Sequence, residues 1–273
     1  MKKLNYNSVL LTFSIFMLLG TTLTYSQESL EGKVLMAVFA HPDDEMTVAP
    51  ILSKYVDEGA QVYLVICTDG RLGTNDFTDH EAGEGLVALR KEEMKCAAEK
   101  LGVELIHLDY HDQLRAGEGY DGHVPHARQL IIELEGIITE KKPDALITWG
   151  PDGGSTHMDH RLVGASVTQV FTSKIWDKTK KLYYVGNPSN LIEEPERKKL
   201  AGQDPSYLNV HITYSDADAE KAIESLKCHK SQVSPDMIKW KEESRAKSNS
   251  TIYLREFVAP KEKRIPYLSN SDA

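Results

Sequence analysis

The sequence has fewer positive than negative charges, and it lacks the motifs of two large enzyme classes. Its 32 Lys and Arg residues are outnumbered by 41 Asp and Glu residues, which gives a formal net charge of −9 at pH 7. Such an acidic chain repels phosphate groups, which argues against nucleic acid or anionic lipid as its main partner. The chain also has no Gly-x-Ser-x-Gly motif and no Walker loop, so it lacks the sequence signatures of α/β-hydrolases and P-loop proteins.

Cysteine is also scarce, with three residues in the whole chain. Cys67 lies in an apolar strand pattern, and Cys96 and Cys228 lie in helical patterns. This placement predicts small core residues and not a disulfide framework, and the odd number leaves room for a free thiol.

Long apolar runs are absent except at the N-terminus. Lys2 and Lys3 precede an apolar run over residues 8–23, and the small-residue stretch 24–26 follows it. This layout predicts a cleaved signal peptide over residues 1–26 and export to the periplasm or the cell exterior. A retained membrane anchor is the alternative, but the run is short for a span and no stop-transfer pattern follows it. The remaining residues, 27–273, are predicted to form a single domain.

Apolar strand patterns and amphipathic helix patterns alternate along the first two thirds of the chain. This order predicts an α/β fold with a mostly parallel sheet that is covered by helices on both faces. Five strands are predicted at residues 34–39, 62–67, 103–108, 145–149 and 182–185, and the helices between and around them at 49–58, 86–101, 126–141 and 160–176. Further on, we predict a surface excursion at 187–204, a helix at 215–230, a charged segment at 239–247, and strands at 209–213 and 251–258.

Polar clusters follow four of the predicted strands, and one of them is unusually dense. His41, Asp43, Asp44 and Glu45 stand within five residues directly after the first strand. Burying so many polar groups beside a core is costly unless a cation lies among them. The carboxyl ends of parallel strands share one edge of the sheet, so donors that follow the fourth strand can join this cluster. The sequence therefore predicts a metal site at this edge.

The second source of donors is the stretch His157-Met158-Asp159-His160, at the start of the fourth predicted helix. His157 and His160 are three residues apart, so both can face the same side of that helix. A catalytic zinc ion takes three nitrogen or oxygen ligands and leaves one position open. One histidine can therefore bind the metal while the other meets the substrate.

The pair of motifs, His41-Pro42-Asp43-Asp44-Glu45 and His157-Met158-Asp159-His160, resembles the zinc-dependent N-deacetylases of the PIG-L (LmbE-like) family. The resemblance covers roughly residues 34–232, and Met158 stands where Pro is usual in the family. It implies a Rossmann-like sheet that binds no nucleotide. Its further matches are Thr68-Asp69-Gly70, Arg90-Lys91-Glu92-Glu93 with Ala97 and Leu101-Gly102, Leu108-Asp109-Tyr110-His111-Asp112, and His229-Lys230-Ser231-Gln232.

The resemblance also implies roles for individual residues. The implied zinc ligands are His41, Asp44 and His160. Asp43 is implied as the general base. His157 is implied as the imidazolium that stabilises the oxyanion and protonates the leaving amine, and Asp159 as the residue that tunes it.

The resemblance also implies that three further residues are candidates for holding substrate hydroxyls: Arg71, Arg90 and Asp112. Arg90 also has a plainer interpretation, since an arginine on a helix commonly meets solvent or pairs with an acid such as Glu93. Glu45 and Asp159 could act as hydrogen-bond partners that orient other groups. Fe²⁺ or another divalent ion could replace zinc among two imidazoles and a carboxylate.

Two other patterns are weaker candidates for a site. His123 and His126 form a second His-x-x-His pair near His107 and His111, but no carboxylate at a strand end accompanies them. Residues 117–122 match the dinucleotide-binding fingerprint by letter, yet they lie well beyond the third strand and not in a tight turn after the first. A mobile loop on the substrate side is the expectation for this glycine-rich segment.

The predicted function is an exported zinc hydrolase that removes an N-acyl group, with acetyl as the first choice, from an amino sugar or its glycoside. A zinc amidase acting on an acylated metabolite that lacks a sugar is the alternative within the enzyme class. A carbohydrate-binding or scaffold protein without turnover is the alternative from another class. The presence of both Asp43 and His157 argues against the latter, because only catalysis needs a base and an acid beside the metal.

Overall fold

The computed structural model describes residues 29–114 and 125–258. The predicted signal peptide, the glycine-rich stretch 117–122 and His123 lie outside the described residues. Among the described helices, none combines the length and the apolar character that a membrane crossing requires.

The described residues form one sheet of seven strands with helices packed on both faces. The strands are β1 (Val34–Phe39), β2 (Gln61–Thr68), β3 (Glu104–Tyr110), β4 (Ala145–Thr148), β5 (Lys181–Gly186), β6 (Val210–Thr213) and β7 (Thr251–Glu256). The helices are α1 (Ala49–Asp57), α2 (Glu84–Leu101), α3 (Pro125–Lys141), α4 (Met158–Thr172), α5 (Pro195–Ala201), α6 (Asp216–Leu226) and α7 (Pro235–Ser248). Short 3₁₀ turns lie at Asp44–Thr47, Ser189–Leu191 and Pro205–Tyr207.

The strand order β3-β2-β1-β4-β5-β7-β6 reverses direction at β1. The pairs among β1 to β5 are parallel, and β7 pairs antiparallel with both β5 and β6. Chain connections leave β1 toward one side and β4 toward the other, so a crevice opens between the carboxyl ends of these two strands. The two polar motifs of the sequence follow β1 and β4, which places both at this crevice.

Each face of the sheet carries its own apolar core. On one face, α1 and α2 pack Ile51, Leu52 and Met94 against the side chains of β1 and β2. On the other face, α3 and α4 contribute Leu134 and Val167. Because β1 and β2 are buried from both sides, their continuous apolar runs are required, and this confirms the predicted α/β class with a mostly parallel sheet.

The predicted elements agree with the structure except toward the C-terminus. Helix α4 begins two residues before the predicted start at His160 and ends at Thr172 instead of residue 176. The predicted surface excursion contains the short helix α5. The charged segment is the second half of helix α7, which Ser234 caps by accepting the Met237 N–H. Since α7 contains no buried residue, its sequence shows no apolar periodicity by which it could be predicted.

The cysteine prediction was wrong for two of the three residues. Cys96 in α2 and Cys228 after α6 form a disulfide with a Cα–Cα distance of 5.8 Å, and Cys67 is a buried free thiol in β2. The two partners are 132 residues apart, so each looks like an isolated small residue within its own helical pattern. The tertiary packing of α2 against α6 brings them together, and only the fold reveals this.

We expect the double substitution Cys96→Ala/Cys228→Ala to lower the free energy of unfolding by about 2–4 kcal/mol, because the disulfide closes a long loop in the unfolded chain. Denaturant unfolding measures this loss. A titration of thiols in the unreduced, denatured protein is expected to find one thiol per chain, from Cys67, and the variant Cys67→Ala none. Three thiols in the wild-type protein would contradict the disulfide.

Candidate active site

The loop after β1 folds back on the carboxylate of Asp44. Asp44 Oδ2 accepts the backbone N–H groups of Ala40 at 3.0 Å and of His41 at 2.8 Å. The indole Nε1 of Trp149, directly after β4, donates to the same oxygen at 3.3 Å. These three donors fix the carboxylate at the carboxyl end of β1 and leave Oδ1 facing His160, whose Nε2 lies 3.1 Å away.

His160 lies in the first turn of α4 and is oriented by the groups around its ring. Its Nδ1 donates to the backbone carbonyl of Gly153 at 2.8 Å. Its ring stacks on that of Trp149 with centroids 4.4 Å apart and an interplanar angle of 1°. The hydrogen bond fixes the proton on Nδ1, so Nε2 presents a lone pair toward Asp44 and His41.

In His41 the two ring nitrogens have the opposite roles from those in His160. Its Nε2 lies 3.3 Å from Asp159 Oδ2 and 3.5 Å from Asp112 Oδ1, so the proton belongs on Nε2. Its Nδ1 lies 3.1 Å from His160 Nε2 and 3.6 Å from Asp44 Oδ2. Histidine ligands of metals commonly donate their other N–H to a carboxylate or a carbonyl, and both histidines show this arrangement.

Side chains of His41, Asp44 and His160 therefore meet: His160 Nε2 lies 3.1 Å from His41 Nδ1 and 3.1 Å from Asp44 Oδ1, and His41 Nδ1 lies 3.6 Å from the other carboxylate oxygen, Asp44 Oδ2. Ligands about 2.0–2.1 Å from a tetrahedral zinc ion lie roughly 3.3 Å from one another. The spacing and the donor types thus fit a small divalent cation. Two overlapping groups of possible ligands share His41: one with His157 and His160, the other with Asp112 and Asp159. Neither group includes Asp44, so the ligand set His41, Asp44 and His160 stays a prediction.

The electrostatics of the cluster favour a cation as well. Burial lowers the pKa of His41, but hydrogen bonds to carboxylates, Asp112 first among them, raise it well above its usual range. Burial likewise opposes the charged form of His160, and the nearby charge of Asp44 nevertheless raises its pKa. Burial raises the pKa of Asp44, but its pairing with the two histidines lowers it well below its usual range. The carboxylates thus hold positive charge between them, which is the role that a metal ion would fill.

Asp43 is held in an unusual backbone conformation beside this cluster. Its φ of 119° lies in the region that favours glycine, and strain of this kind persists only when neighbouring groups enforce it. Its N–H donates to Glu45 Oε2 at 3.1 Å, and its Oδ2 accepts from Arg90 Nη2 at 3.0 Å. Burial, partly offset by Arg90, raises the pKa of Asp43 to about 6.

Arg90 lies beneath the loop and not in solvent, so the solvent-exposed interpretation of this helical arginine was wrong. Its side chain is buried and donates to the carbonyls of Pro42 and Gly70 as well as to Asp43. A Cβ atom at Gly70 or Gly73 would clash with the guanidinium, so these glycines provide the space for it. All of these contacts are internal, which favours support of the loop over contact with a substrate.

Arg71 is partly exposed and Asp112 is buried, and both contact Asp69. Arg71 pairs with Asp69 at 2.6 Å and with Glu84 at 3.0 Å, and about a quarter of its side chain is exposed. Asp112 accepts the N–H of Leu72 at 3.2 Å in addition to its contact with His41. Their role in holding substrate hydroxyls remains a prediction.

His157 is exposed, which leaves it accessible to a substrate. It caps α4, because its Nδ1 accepts the Asp159 N–H at 3.2 Å. Burial of part of the ring and the neighbouring charge of His41 lower its pKa. Because Nδ1 accepts a hydrogen bond, the ring proton belongs on Nε2. The lowered pKa favours the neutral form of the ring. In this state His157 can donate a hydrogen bond from Nε2, and its implied role as an imidazolium during the reaction stays a prediction.

Asp159 is buried at the centre of this arrangement. Its Oδ2 faces His41, and its Oδ1 accepts the N–H of Leu114 at 3.0 Å. No side-chain hydrogen bond between Asp159 and His157 is present among the described contacts. Asp159 therefore orients the ring of His41, and its charge also acts on His157, where it opposes the lowering of the pKa by burial.

Sequence reasoning assigned no role to two residues that support the site. Trp149 donates to Asp44 and stacks on His160, and nothing in the sequence marks it beyond its place at the end of a strand. His229 donates to Glu45 at 2.7 Å, and both side chains are fully buried. The sequence signal for His229 is the family resemblance of the stretch His229-Lys230-Ser231-Gln232.

A cavity of about 1200 Å³ opens beside Asp44 and His160. It extends past β5 and under α7, and its far wall includes Trp240, against which the guanidinium of Arg197 stacks at 4.7 Å. Pockets for small ligands usually measure about 300–1,000 Å³, so this cavity exceeds the size that a single sugar requires.

The second histidine cluster of the sequence forms no metal site in the part of the chain that the structure describes. His107 Nε2 contacts the carbonyl of Thr68 at 2.9 Å, and the ring of His126 packs 5.8 Å from that of Tyr110. Neither belongs to a group of possible metal ligands there.

The chain is similar to proteins of known activity in both sequence and fold. The model of the PIG-L family, described as GlcNAc-PI de-N-acetylase, matches residues 36–171. A 1D-myo-inositol 2-acetamido-2-deoxy-alpha-D-glucopyranoside deacetylase from Thermobifida fusca (strain YX) is 30% identical over 197 residues, which are 63% of this chain and 68% of that protein. A protein of the same name from Corynebacterium glutamicum (strain R) is 33% identical over 148 residues, which are 49% of this chain and 51% of that protein. The chain thus spans about half the length of the curated Corynebacterium glutamicum relatives that it matches.

Among solved structures, the chain resembles an N,N'-diacetylchitobiose deacetylase from Pyrococcus horikoshii with a TM-score of 0.62 and 20% sequence identity. The match covers 85% of this chain and 86% of that one. At this identity the likeness shows a shared fold.

We expect the variants His41→Ala and His160→Ala to bind zinc at least about 100-fold more weakly than the wild-type protein, because loss of an orienting group outside the ligand shell alone costs about 10–100-fold. Titration of the metal-free protein with zinc, followed by calorimetry, measures the affinity. The matched control is His211→Ala on β6, which removes an exposed imidazole and is expected to leave the affinity unchanged. Equal affinity in all four proteins would exclude this metal site.

Proposed function

The chain belongs to the PIG-L family, and we propose that it is a zinc-dependent hydrolase that removes an N-acetyl group from an amino-sugar glycoside. The observation that carries the proposal is that His41 Nδ1, the Asp44 carboxylate and His160 Nε2 meet beside Asp43 and His157. A metal centre with an adjacent carboxylate and an adjacent imidazole is suited to amide hydrolysis.

A divalent ion held by His41, Asp44 and His160 would act as a Lewis acid that makes water more acidic and polarises the amide carbonyl. Zinc is the proposed ion, and the same donor set also suits Fe²⁺. Metal analysis of protein purified without added metal, under anaerobic conditions, identifies the ion.

Asp43 is the proposed general base. Its raised pKa, of about 6, makes it a better proton acceptor than an ordinary aspartate while leaving it ionised at neutral pH. It takes the proton of the attacking water while the water oxygen bonds to the amide carbon. The backbone strain at Asp43 and its bond to Arg90 set the direction of the carboxylate.

His157 is the proposed partner of the developing oxyanion and of the leaving amine. Because Nδ1 accepts the Asp159 N–H, the hydrogen on Nε2 can be donated to the oxyanion. When the C–N bond breaks, the amine nitrogen needs a proton. We propose that His157 donates its Nε2 proton to the amine nitrogen, and that the proton taken from water by Asp43 restores the proton balance of the site.

An amino-sugar glycoside is the proposed substrate because three observations agree. The relatives named above are deacetylases of acetylated amino-sugar glycosides. Arg71 and Asp112 supply charged hydrogen-bonding groups, as expected for sugar hydroxyls. The cavity toward Trp240 has room for a group beyond the first sugar, and aromatic faces pack well against sugar rings.

Export is part of the proposal. The layout of residues 1–26 supports it, as does the disulfide between Cys96 and Cys228, because disulfides persist in oxidising compartments and are rare in the cytosol. N-terminal sequencing of protein recovered from the periplasm or the medium would identify cleavage after Ser26.

The variant Asp43→Asn is expected to lower kcat by about 10²–10⁴-fold, the usual contribution of a general base, while the zinc content stays at one ion per chain. Acetate release from N-acetylglucosamine glycosides measures kcat. The control Asp57→Asn removes an exposed carboxylate that pairs with Lys221 and is expected to behave as wild type. Unchanged kcat in Asp43→Asn would exclude this base. Activity confined to acylated amines without a sugar would replace the proposed substrate.

For a substrate that reaches the far wall of the cavity, Trp240→Ala is expected to raise KM several-fold, because stacking contacts of this kind contribute about 0.5–1.5 kcal/mol. The KM for N-acetylglucosamine itself is expected to remain unchanged. Kinetics with the monosaccharide and with N,N'-diacetylchitobiose, measured side by side, make the comparison. Equal KM values for wild type and variant on both compounds would place the second sugar elsewhere.

A further inference from the structure

We infer that the Cys96–Cys228 disulfide, acting through His229 and Glu45, positions the proposed base Asp43 and is needed for full catalytic turnover. This inference rests on the proposed function only for its kinetic test. The structural chain of contacts from the disulfide to Asp43 lies entirely in described residues.

The first step runs from Asp43 to the chain segment between α6 and α7, residues 227–233, here called the 227–233 connection. The N–H of Asp43 donates to one carboxylate oxygen of Glu45 at 3.1 Å. The other oxygen of Glu45 accepts from His229 Nε2 at 2.7 Å. Both side chains of this pair are fully buried. A buried ion pair permits little movement, since loss of either partner leaves an uncompensated charge in the interior.

The second step fixes the 227–233 connection itself. The N–H and Oγ of Ser231 donate to the buried carboxylate of Glu93 at 2.8 and 2.6 Å. The side-chain amide of Gln232 donates to the carbonyl of Gly73 at 2.7 Å. The disulfide adds a covalent bond between Cys228, the neighbour of His229, and Cys96, three residues beyond Glu93 in α2.

The third step returns to Asp43 from the same helix. Arg90, which binds the Asp43 carboxylate, lies six residues before Cys96, or about 9 Å along the axis of α2. Asp43 is therefore held from two directions, by Arg90 on α2 and by Glu45 through the connection. The disulfide links these two supports to each other, so it sets the position of the strained residue between them.

The family model ends at residue 171, so His229 and Cys228 lie beyond the matched region. The proposed zinc ligands have other supports. Glu45 and His229 make no hydrogen bond to His41 or His160 among the described contacts. The carboxylate of Asp44 is held by the N–H groups of Ala40 and His41 and by Trp149. Loss of the disulfide should therefore displace the base and leave metal binding intact. A displacement of about 1 Å in a catalytic group can cost up to about 100-fold in rate.

The test compares Cys96→Ala/Cys228→Ala with Leu134→Ala, whose cavity in the core of the opposite sheet face also destabilises the protein by a few kcal/mol. Replacement is preferable to reduction, because thiol reductants bind zinc. Both variants are assayed well below their melting temperatures, after their zinc content has been measured. The disulfide variant is expected to keep its zinc and its KM within about twofold and to lose at least about tenfold in kcat. Leu134→Ala is expected to keep its kcat.

A second readout needs no activity. In amide hydrogen exchange followed by mass spectrometry, a peptide spanning residues 40–48 is expected to exchange faster in the disulfide variant, because the Asp43 N–H loses its fixed acceptor. The same peptide is expected to be unchanged in Leu134→Ala. His229→Leu, which removes the imidazole but keeps the disulfide, is expected to reproduce both the kinetic and the exchange effect, and His229→Gln, which retains an N–H donor, to restore part of each.

Unchanged kcat and unchanged exchange at residues 40–48 in a folded, zinc-loaded disulfide variant would overturn the inference and leave the disulfide with a purely stabilising role. If the wild-type protein removes no acyl group from any compound tested, the proposed function fails. The exchange experiment still decides whether the disulfide positions Asp43.

Discussion

The structure depends on a surplus of negative charge that is buried at the carboxyl edge of the sheet. Asp44, Asp112 and Asp159 surround His41 there, and Arg90 contributes the fixed positive charge of the neighbouring loop. A buried carboxylate is costly unless it is hydrogen-bonded and paired. Each carboxylate therefore accepts hydrogen bonds from nearby N–H groups, and the carboxylates in turn fix the orientation of the imidazoles. Demand for positive charge remains at the meeting point of His41, Asp44 and His160, and this is why we propose a metal ion there.

The sheet topology explains why this cluster can form. Strand order reverses at β1, so the loops after β1 and β4 face each other across the crevice where α/β proteins bind ligands. The loop after β1 brings His41, Asp43 and Asp44, and the start of α4 brings His157 and His160. Trp149 links the two sides by bonding Asp44 and stacking on His160. The proposed metal ligands thus all lie inside the region that the family model covers.

The position of the base depends on elements farther along the chain. Asp43 adopts a strained backbone conformation, and the groups that enforce it come from α2 and from the 227–233 connection. The site therefore has two separable supports, one for the metal ligands and one for Asp43. The first uses the strand ends, and the second uses helices on one face of the sheet together with a disulfide. From this division we infer that a change in the second support can alter turnover without altering metal binding.

The α/β class, the parallel strands and the candidate metal ligands His41, Asp44 and His160 could all be predicted from the sequence. Strand and helix patterns arise from local periodicity, and the motifs after β1 and β4 are short enough to be recognised directly in the sequence. The tertiary structure alone decided which ring nitrogen of His41 and of His160 faces the metal position, because the proton on each ring follows contacts with Asp159 and Gly153. It also decided that Arg90 is buried beneath Asp43, that Asp159 orients His41, and that Cys96 meets Cys228. These are contacts between residues 20 to 132 positions apart, or between rings whose orientation no local pattern encodes, so packing had to determine them.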